Sequence, residues 1–139
     1  MEIRASVRSS AAEHRAAVST DGRESLLPIA GRPGGGSSVN GGELLCLALA
    51  TCYCNDLYRE AARRGLVLDA VAVEVVSEFG GPGEPARRIR YSAEVRSDAP
   101  AAAVDALLRE TDAVAEVHNT LRAGTPVERR GAAGERPPA

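Results

Sequence analysis

The feature that most constrains this chain is the run from Glu43 to Arg64, ELLCLALATCYCNDLYREAARR. Its first half is apolar almost all round, and its second half is amphipathic, with Glu60 placed to pair with Arg63 and Arg64 one turn on. The run predicts one long helix, buried at its start and exposed at its end, with Gly65 as the stop. The twelve residues before it, GRPGGGSSVNGG at 31–42, are too rich in Gly, Ser and Pro for regular structure. They read either as a flexible connector or as a loop needing close backbone approach or positive φ.

Around this helix the pattern is that of strands. Residues 2–8 and 13–19 alternate polar and apolar, and Asp21-Gly22 is a tight-turn dipeptide leading into a third run, 24–29. A meander of three short strands is expected. After the helix, Val71, Val73 and Val75 alternate with Ala72, Glu74 and Val76. The turn GGPGEP, 80–85, leads to an antiparallel partner at 87–96, with Ile89, Tyr91, Ala93 and Val95 on one face. A second helix is expected from Pro100 to about Leu121, ended by Ala123-Gly124. Residues 125–129 suit a last short strand. The fold class is therefore α+β, with antiparallel sheets around a long central buried helix. One domain over 1–130 is expected, with a disordered tail at 131–139.

Composition narrows the function. Aromatic residues make up 3% of the chain and Phe79 is its only phenylalanine, so an aliphatic core is expected. A net charge of -2 offers no basic surface for nucleic acid. Arg63–Arg64 and Arg87–Arg88 are mixed with acids and read as solvated faces. The longest apolar stretch, 44–50, falls short of the ~20 residues of a membrane span. Residues 1–16 lack the apolar region of a signal peptide. Three cysteines clustered on one helix do not make a secreted disulfide framework, so reduced cytoplasmic thiols are expected.

Helix geometry limits what those thiols can do. Cys46 and Cys52 lie roughly 9 Å apart along the axis, Cys46 and Cys54 roughly 12 Å, and Cys52 and Cys54 point roughly 200° apart around it. None of these pairs can close a disulfide. A Cys-x-Cys pair on a helix is a poor chelate and nothing completes a zinc site, so no metal or cofactor is expected. Cys46 and Cys54 read as small buried hydrophobes. Cys52 sits where the helix changes from buried to amphipathic, which suits either core or cleft. His14 reads as a structural residue in a strand.

The run GGGSSVNGGELLCLALATC resembles the signature of the OsmC/Ohr superfamily, in its OsmC-like branch. Glu43-Leu44-Leu45 matches the family's E-L-L element, with Gly41 where proline is usual, and Cys52 falls on the reactive cysteine. HNTLRAGTPVE, 118–128, resembles the later segment that carries the second, resolving cysteine. That alignment puts Ala115 at the resolving position and Glu116 where proline belongs. The resemblance implies an intertwined homodimer and a thiol-dependent peroxide reductase. A small hydrophobic ligand or organic hydroperoxide would be the substrate and an external thiol the reductant. It implies a catalytic arginine, for which Arg23 is the nearest candidate, and an acidic partner, for which Glu43 stands. The missing resolving thiol leaves a single-cysteine peroxidase or a family member without peroxidase activity. His118, three residues after Ala115, reads either as a surface helix residue or as a base paired with Cys52 and oriented by Asn119.

Overall fold

A computed structural model describes residues 1–131 of the chain. The predicted tail lies outside them except for Gly131. Two compact units are present: Met1–Ala48 with Val75–Arg90, and Leu49–Glu74 with Tyr91 onwards.

The first unit holds the meander β1 (Ile3–Ser9), β2 (His14–Thr20) and β3 (Arg23–Leu27), antiparallel in the order β1-β2-β3. Asp21 at φ 46° and Gly22 at φ 83° make its tight turn. Both central residues then have the positive φ of the turn that matches strand twist. In this register Ile3, Ala5 and Val7 stand opposite Thr20, Val18 and Ala16, and Ala16 stands opposite Leu27. That face is apolar, yet Ile3, Val7 and Leu27 remain exposed. The glycine-rich segment is an ordered loop. Gly31 bridges to Ser37, and Gly34, Gly35 and Gly36 all have positive φ. A Cβ on Gly31 would come within 2.8 Å of the His14 Cβ. Of the two readings of this loop, close approach and positive φ are the ones realised.

Helix α1 (Gly41–Arg63) starts where Asn40 and Glu43 cap each other. The Glu43 N–H donates to Asn40 Oδ1 at 2.8 Å, and the Asn40 N–H donates to Glu43 Oε1 at 3.1 Å. This reciprocal pair is a capping box with asparagine in place of serine. At the other end Gly65 (φ 69°) completes a Schellman turn, with the Leu66 N–H on Ala61 O and the Gly65 N–H on Ala62 O. The apolar first half of α1 is less covered than its sequence suggests. Leu47 is 59% exposed and Ala48 is also exposed. The buried apolar stripe is Leu49, Tyr53, Leu57 and Ala61, spaced four residues apart, and it covers only one side.

In the second unit that stripe meets α2 (Ala101–Val114) and the paired strands β4 (Ala70–Phe79) and β5 (Ala86–Arg96). Tyr53, Leu57, Ala61, Leu107 and Ala115 form the core, with Val71, Val73, Tyr91, Ala93 and Val95 packed on it. Val71 and Val73 come from one of the two faces read for β4, and Tyr91, Ala93 and Val95 from the apolar face read for β5. The core is not purely aliphatic, because two of the chain's three tyrosines join it.

The second helical region is broken, not continuous to Leu121. Ala115 is extended (ψ 107°), and a separate α3 (Glu116–Arg122) follows. The break leaves carbonyls of the last turn of α2 without helical donors. Side chains of α3 satisfy two of them: Asn119 Nδ2 donates to Ala113 O at 3.0 Å, and Arg122 Nη1 to Asp112 O at 3.2 Å. The predicted strand at 125–129 does not form. Those residues pair with no strand and Val127 is 99% exposed.

Candidate functional site

Cys52 lies midway along α1, half-buried, and all three cysteines are free. Its thiol faces two carboxylates. Asp56, one turn later on the same helix, offers Oδ2 at 3.6 Å from Sγ, and Glu116, the first residue of α3, offers Oε2 at 3.9 Å. The break at Ala115 lets α3 begin beside the thiol, where an unbroken helix would have carried Glu116 elsewhere. Arg59 ties the carboxylates together, with Nη1 at 3.0 Å from Asp56 Oδ1 and 3.4 Å from Glu116 Oε1. Glu60 takes Arg59, Arg63 and Arg64 on its two oxygens, as the helix spacing predicts for the last two.

These surroundings set the protonation states. Burial pushes the Cys52 thiol up, opposed by the Val117 backbone N–H and reinforced by the charges of Asp56 and Glu116. Cys52 is therefore a thiol at neutral pH, since both low polarity and negative neighbours disfavour the thiolate. Burial also raises the Asp56 carboxyl, and its hydrogen bond and repulsion with Glu116 add to this against the pull of Arg59. Glu116 moves the other way, held down first by its own backbone N–H and then, against its burial, by Asp56 and Arg59. Of the two acids, Asp56 is the one disposed to take a proton. The donor atoms of Cys52, Asp56 and Glu116 lie within 4.8 Å of one another. Arg59 already supplies the positive charge between the two carboxylates.

The other expected site residues are not among the hydrogen-bond partners of the Cys52 thiol. Glu43 is half of the α1 capping box, and Arg23 opens β3 on the exposed meander; both belong to the first unit. His118 is 4% exposed, so it is not a surface residue. Its ring lies against Tyr53 and Tyr91, with centroids 5.8 and 4.7 Å away. Neither ring nitrogen has a hydrogen-bond partner among the described residues, and His118 is not among the hydrogen-bond partners of the Cys52 thiol. Asn119 does not orient it either, because its amide is engaged with Ala113 and Arg122. Ala115, which the resemblance aligns with the resolving cysteine, is fully buried.

Asp56 and Glu116 were not foreseen. Asp56 follows Cys52 by four residues, so their shared helix face is legible in the sequence. Glu116 is 64 residues from Cys52 and no local signal marks it. Among the described residues no helix is long and apolar enough to cross a membrane.

Comparison with known proteins gives a consistent picture. No curated protein matches the chain. Among solved structures, an OsmC-like protein from Mycoplasma pneumoniae superposes with a TM-score of 0.62 at 15% identity, covering 88% of this chain and 89% of its own. An OsmC-like hydroperoxide resistance protein from Jannaschia sp. CCS1 gives 0.57 at 14% identity, with 96% and 93% covered. An OsmC-like protein of unknown function from Vibrio cholerae gives 0.53 at 13% identity, with 84% and 92% covered. These likenesses establish a shared fold. The sequence profile described as OsmC-like protein matches residues 34–130, a span that runs from the glycine loop through the cysteine helix and α3. With that span matched and the fold shared, the chain belongs to the OsmC-like family.

Proposed function

We propose that the protein is a thiol-dependent peroxide reductase that works through Cys52 alone. The observation that carries this is a free, half-buried thiol in contact with two acid–base groups. In this reading the Cys52 thiolate attacks an organic hydroperoxide and becomes a sulfenic acid. With Ala115 at the resolving position, a small external thiol condenses with it, and a second releases Cys52 as the free thiol. The resemblance makes Arg23 the candidate catalytic arginine and Glu43 the acid that holds it, and the proposal keeps them in those roles.

The test is peroxide loss with tert-butyl hydroperoxide and excess dithiothreitol. Wild type should turn over, faster as pH rises above neutral because the thiol's proton affinity is raised. Cys52→Ser should fall to the uncatalysed rate. Wild-type turnover no faster than Cys52→Ser would sink the reading. The raised thiol favours a second reading, an OsmC-like protein without peroxidase activity that binds a small hydrophobic ligand or carries out another cysteine-dependent reaction. Its mark is an unchanged intact mass after peroxide treatment.

The proposal includes a homodimer, supported by apolar side chains that a single chain leaves open, namely Ile3, Val7, Leu26, Leu47, Val76 and Phe79. Light scattering should give twice the chain mass, and Leu47→Glu should shift it toward one. A monomeric wild type at tens of micromolar removes this part of the proposal.

A further inference from the structure

Reduction of a hydroperoxide by a thiol needs a proton moved twice. The thiol must lose one before it attacks, and the departing alkoxide must gain one. Reactive thiols commonly sit in electropositive surroundings that hold the thiolate ready. Cys52 does not, since burial and two carboxylates keep its proton on. A thiol in this setting needs a base in contact with it at the moment of reaction.

Asp56 meets that need geometrically. Its Oδ2 faces Sγ at 3.6 Å, while Oδ1 is held by Arg59 at 3.0 Å, so the carboxylate is aimed at the sulfur. It is 5% exposed, whereas the Glu116 side chain is 65% exposed. Asp56 is therefore shielded from bulk water while in contact with the thiol. The charged groups around it are Arg59 and Glu60 on α1 and Glu116 on α3. Glu60 is neutralised by Arg63 and Arg64 as well as Arg59, which leaves Glu116 as the anion that bears on Asp56.

Resting on the peroxidase reading, we propose that Asp56 is a further catalytic residue, the carrier that takes the Cys52 proton and hands it to the leaving alkoxide. The Asp56 carboxylate accepts the S–H proton. The thiolate attacks the terminal oxygen of the hydroperoxide, an S–O bond forms, and the O–O pair leaves with the alkoxide. The alkoxide takes the proton from Asp56 and departs as the alcohol. Sulfur is oxidised to the sulfenic acid, the peroxide is reduced, and Asp56 returns to its starting charge. Glu116 and Arg59 act as positioning residues. Glu116 keeps the negative charge of the pair, which favours a proton on Asp56, and Arg59 fixes the carboxylate's orientation.

Two reactions of the same thiol separate this role from a purely electrostatic one. Alkylation by iodoacetamide needs the thiolate but no proton for the departing iodide. Sulfenic acid formation with tert-butyl hydroperoxide needs both. In the full-length Asp56→Asn protein a negative neighbour is gone, so alkylation localised to Cys52 at pH 8 should match or exceed wild type. The peroxide reaction, read by dimedone trapping, should fall at least about tenfold. Asp56→Glu should recover part of it. Peroxide and alkylation rates that rise together in Asp56→Asn overturn the relay in favour of a charge effect. A fall shared equally by both reactions overturns it in favour of structural support. A wild-type Cys52 that alkylates but forms no sulfenic acid refutes the peroxidase reading itself, and the relay with it, and is distinct from either other failure.

Discussion

Leu57→Ala is expected to cost about 2–5 kcal/mol of folding stability, the range for emptying a leucine site in a packed core. Leu57 is fully buried on α1, in one cluster with Tyr53, Ala61, Leu107 and Ala115. Tyr53 and Ala61 share its helix, Leu107 lies on α2 and Ala115 just beyond it, and the two alanines have no longer side chain to swing into the gap. The cavity term should therefore persist. The melting temperature should drop by roughly 10 °C, given about 2–4 °C per kcal/mol for a chain near 150 residues. Urea unfolding followed by circular dichroism checks the value, with Val127→Ala on the exposed C-terminal stretch as a control within about 0.5 kcal/mol. A loss below about 1 kcal/mol would mean that the second unit is not organised around this stripe.

The effect reaches the site because the same helix carries both. Leu57 follows Asp56 directly, and Cys52 packs against the cluster that Leu57 centres. A shift of α1 that fills the cavity would move Cys52 away from the Glu116 carboxylate on α3. Cys52 alkylation should then rise in Leu57→Ala beyond what the unfolded fraction accounts for.

What the sequence discloses and what it hides divide along the reach of the interactions. The turn at Asp21-Gly22 and the end of α1 at Gly65 follow from backbone preferences of the residues themselves, so each falls where expected. The strand faces of Val71 and Val73 and of Tyr91, Ala93 and Val95 follow from a period of two. The break at Ala115 has no such signal. Nothing in DAVAEV stops a helix, and the break holds because Asn119 and Arg122 reach back to carbonyls of α2. Everything that depends on the break was hidden with it, including the approach of Glu116 to Cys52. The exposed face of α1 departs from its sequence pattern for a different reason. An apolar composition states what a helix needs covered, not whether a single chain covers it.

His118→Leu is expected to stabilise the protein by about 1 kcal/mol at neutral pH and by more in acid. Both ring nitrogens of His118 are buried without a partner among the described residues, and such a group costs about 1–3 kcal/mol. Leucine removes that cost but gives up the ring contacts with Tyr53 and Tyr91, worth about 0.5–1.5 kcal/mol. The acid arm has a definite sign. Burial holds the His118 imidazole below its ordinary value, with the Arg122 charge adding to this and Asp112 opposing it. The groups around it are Tyr53 on α1, Tyr91 on β5, Asp112 on α2 and Arg122 on α3. As pH falls below about 6.5 the unfolded chain takes up a proton that the folded chain refuses, so wild-type stability declines until the folded imidazole also titrates. The leucine variant lacks this loss. Urea midpoints measured from pH 7.5 to 5 should therefore diverge, with the variant ahead throughout. Parallel curves would show that His118 is not held neutral, and a variant less stable than wild type at pH 7.5 would show that the ring nitrogens are satisfied in solution.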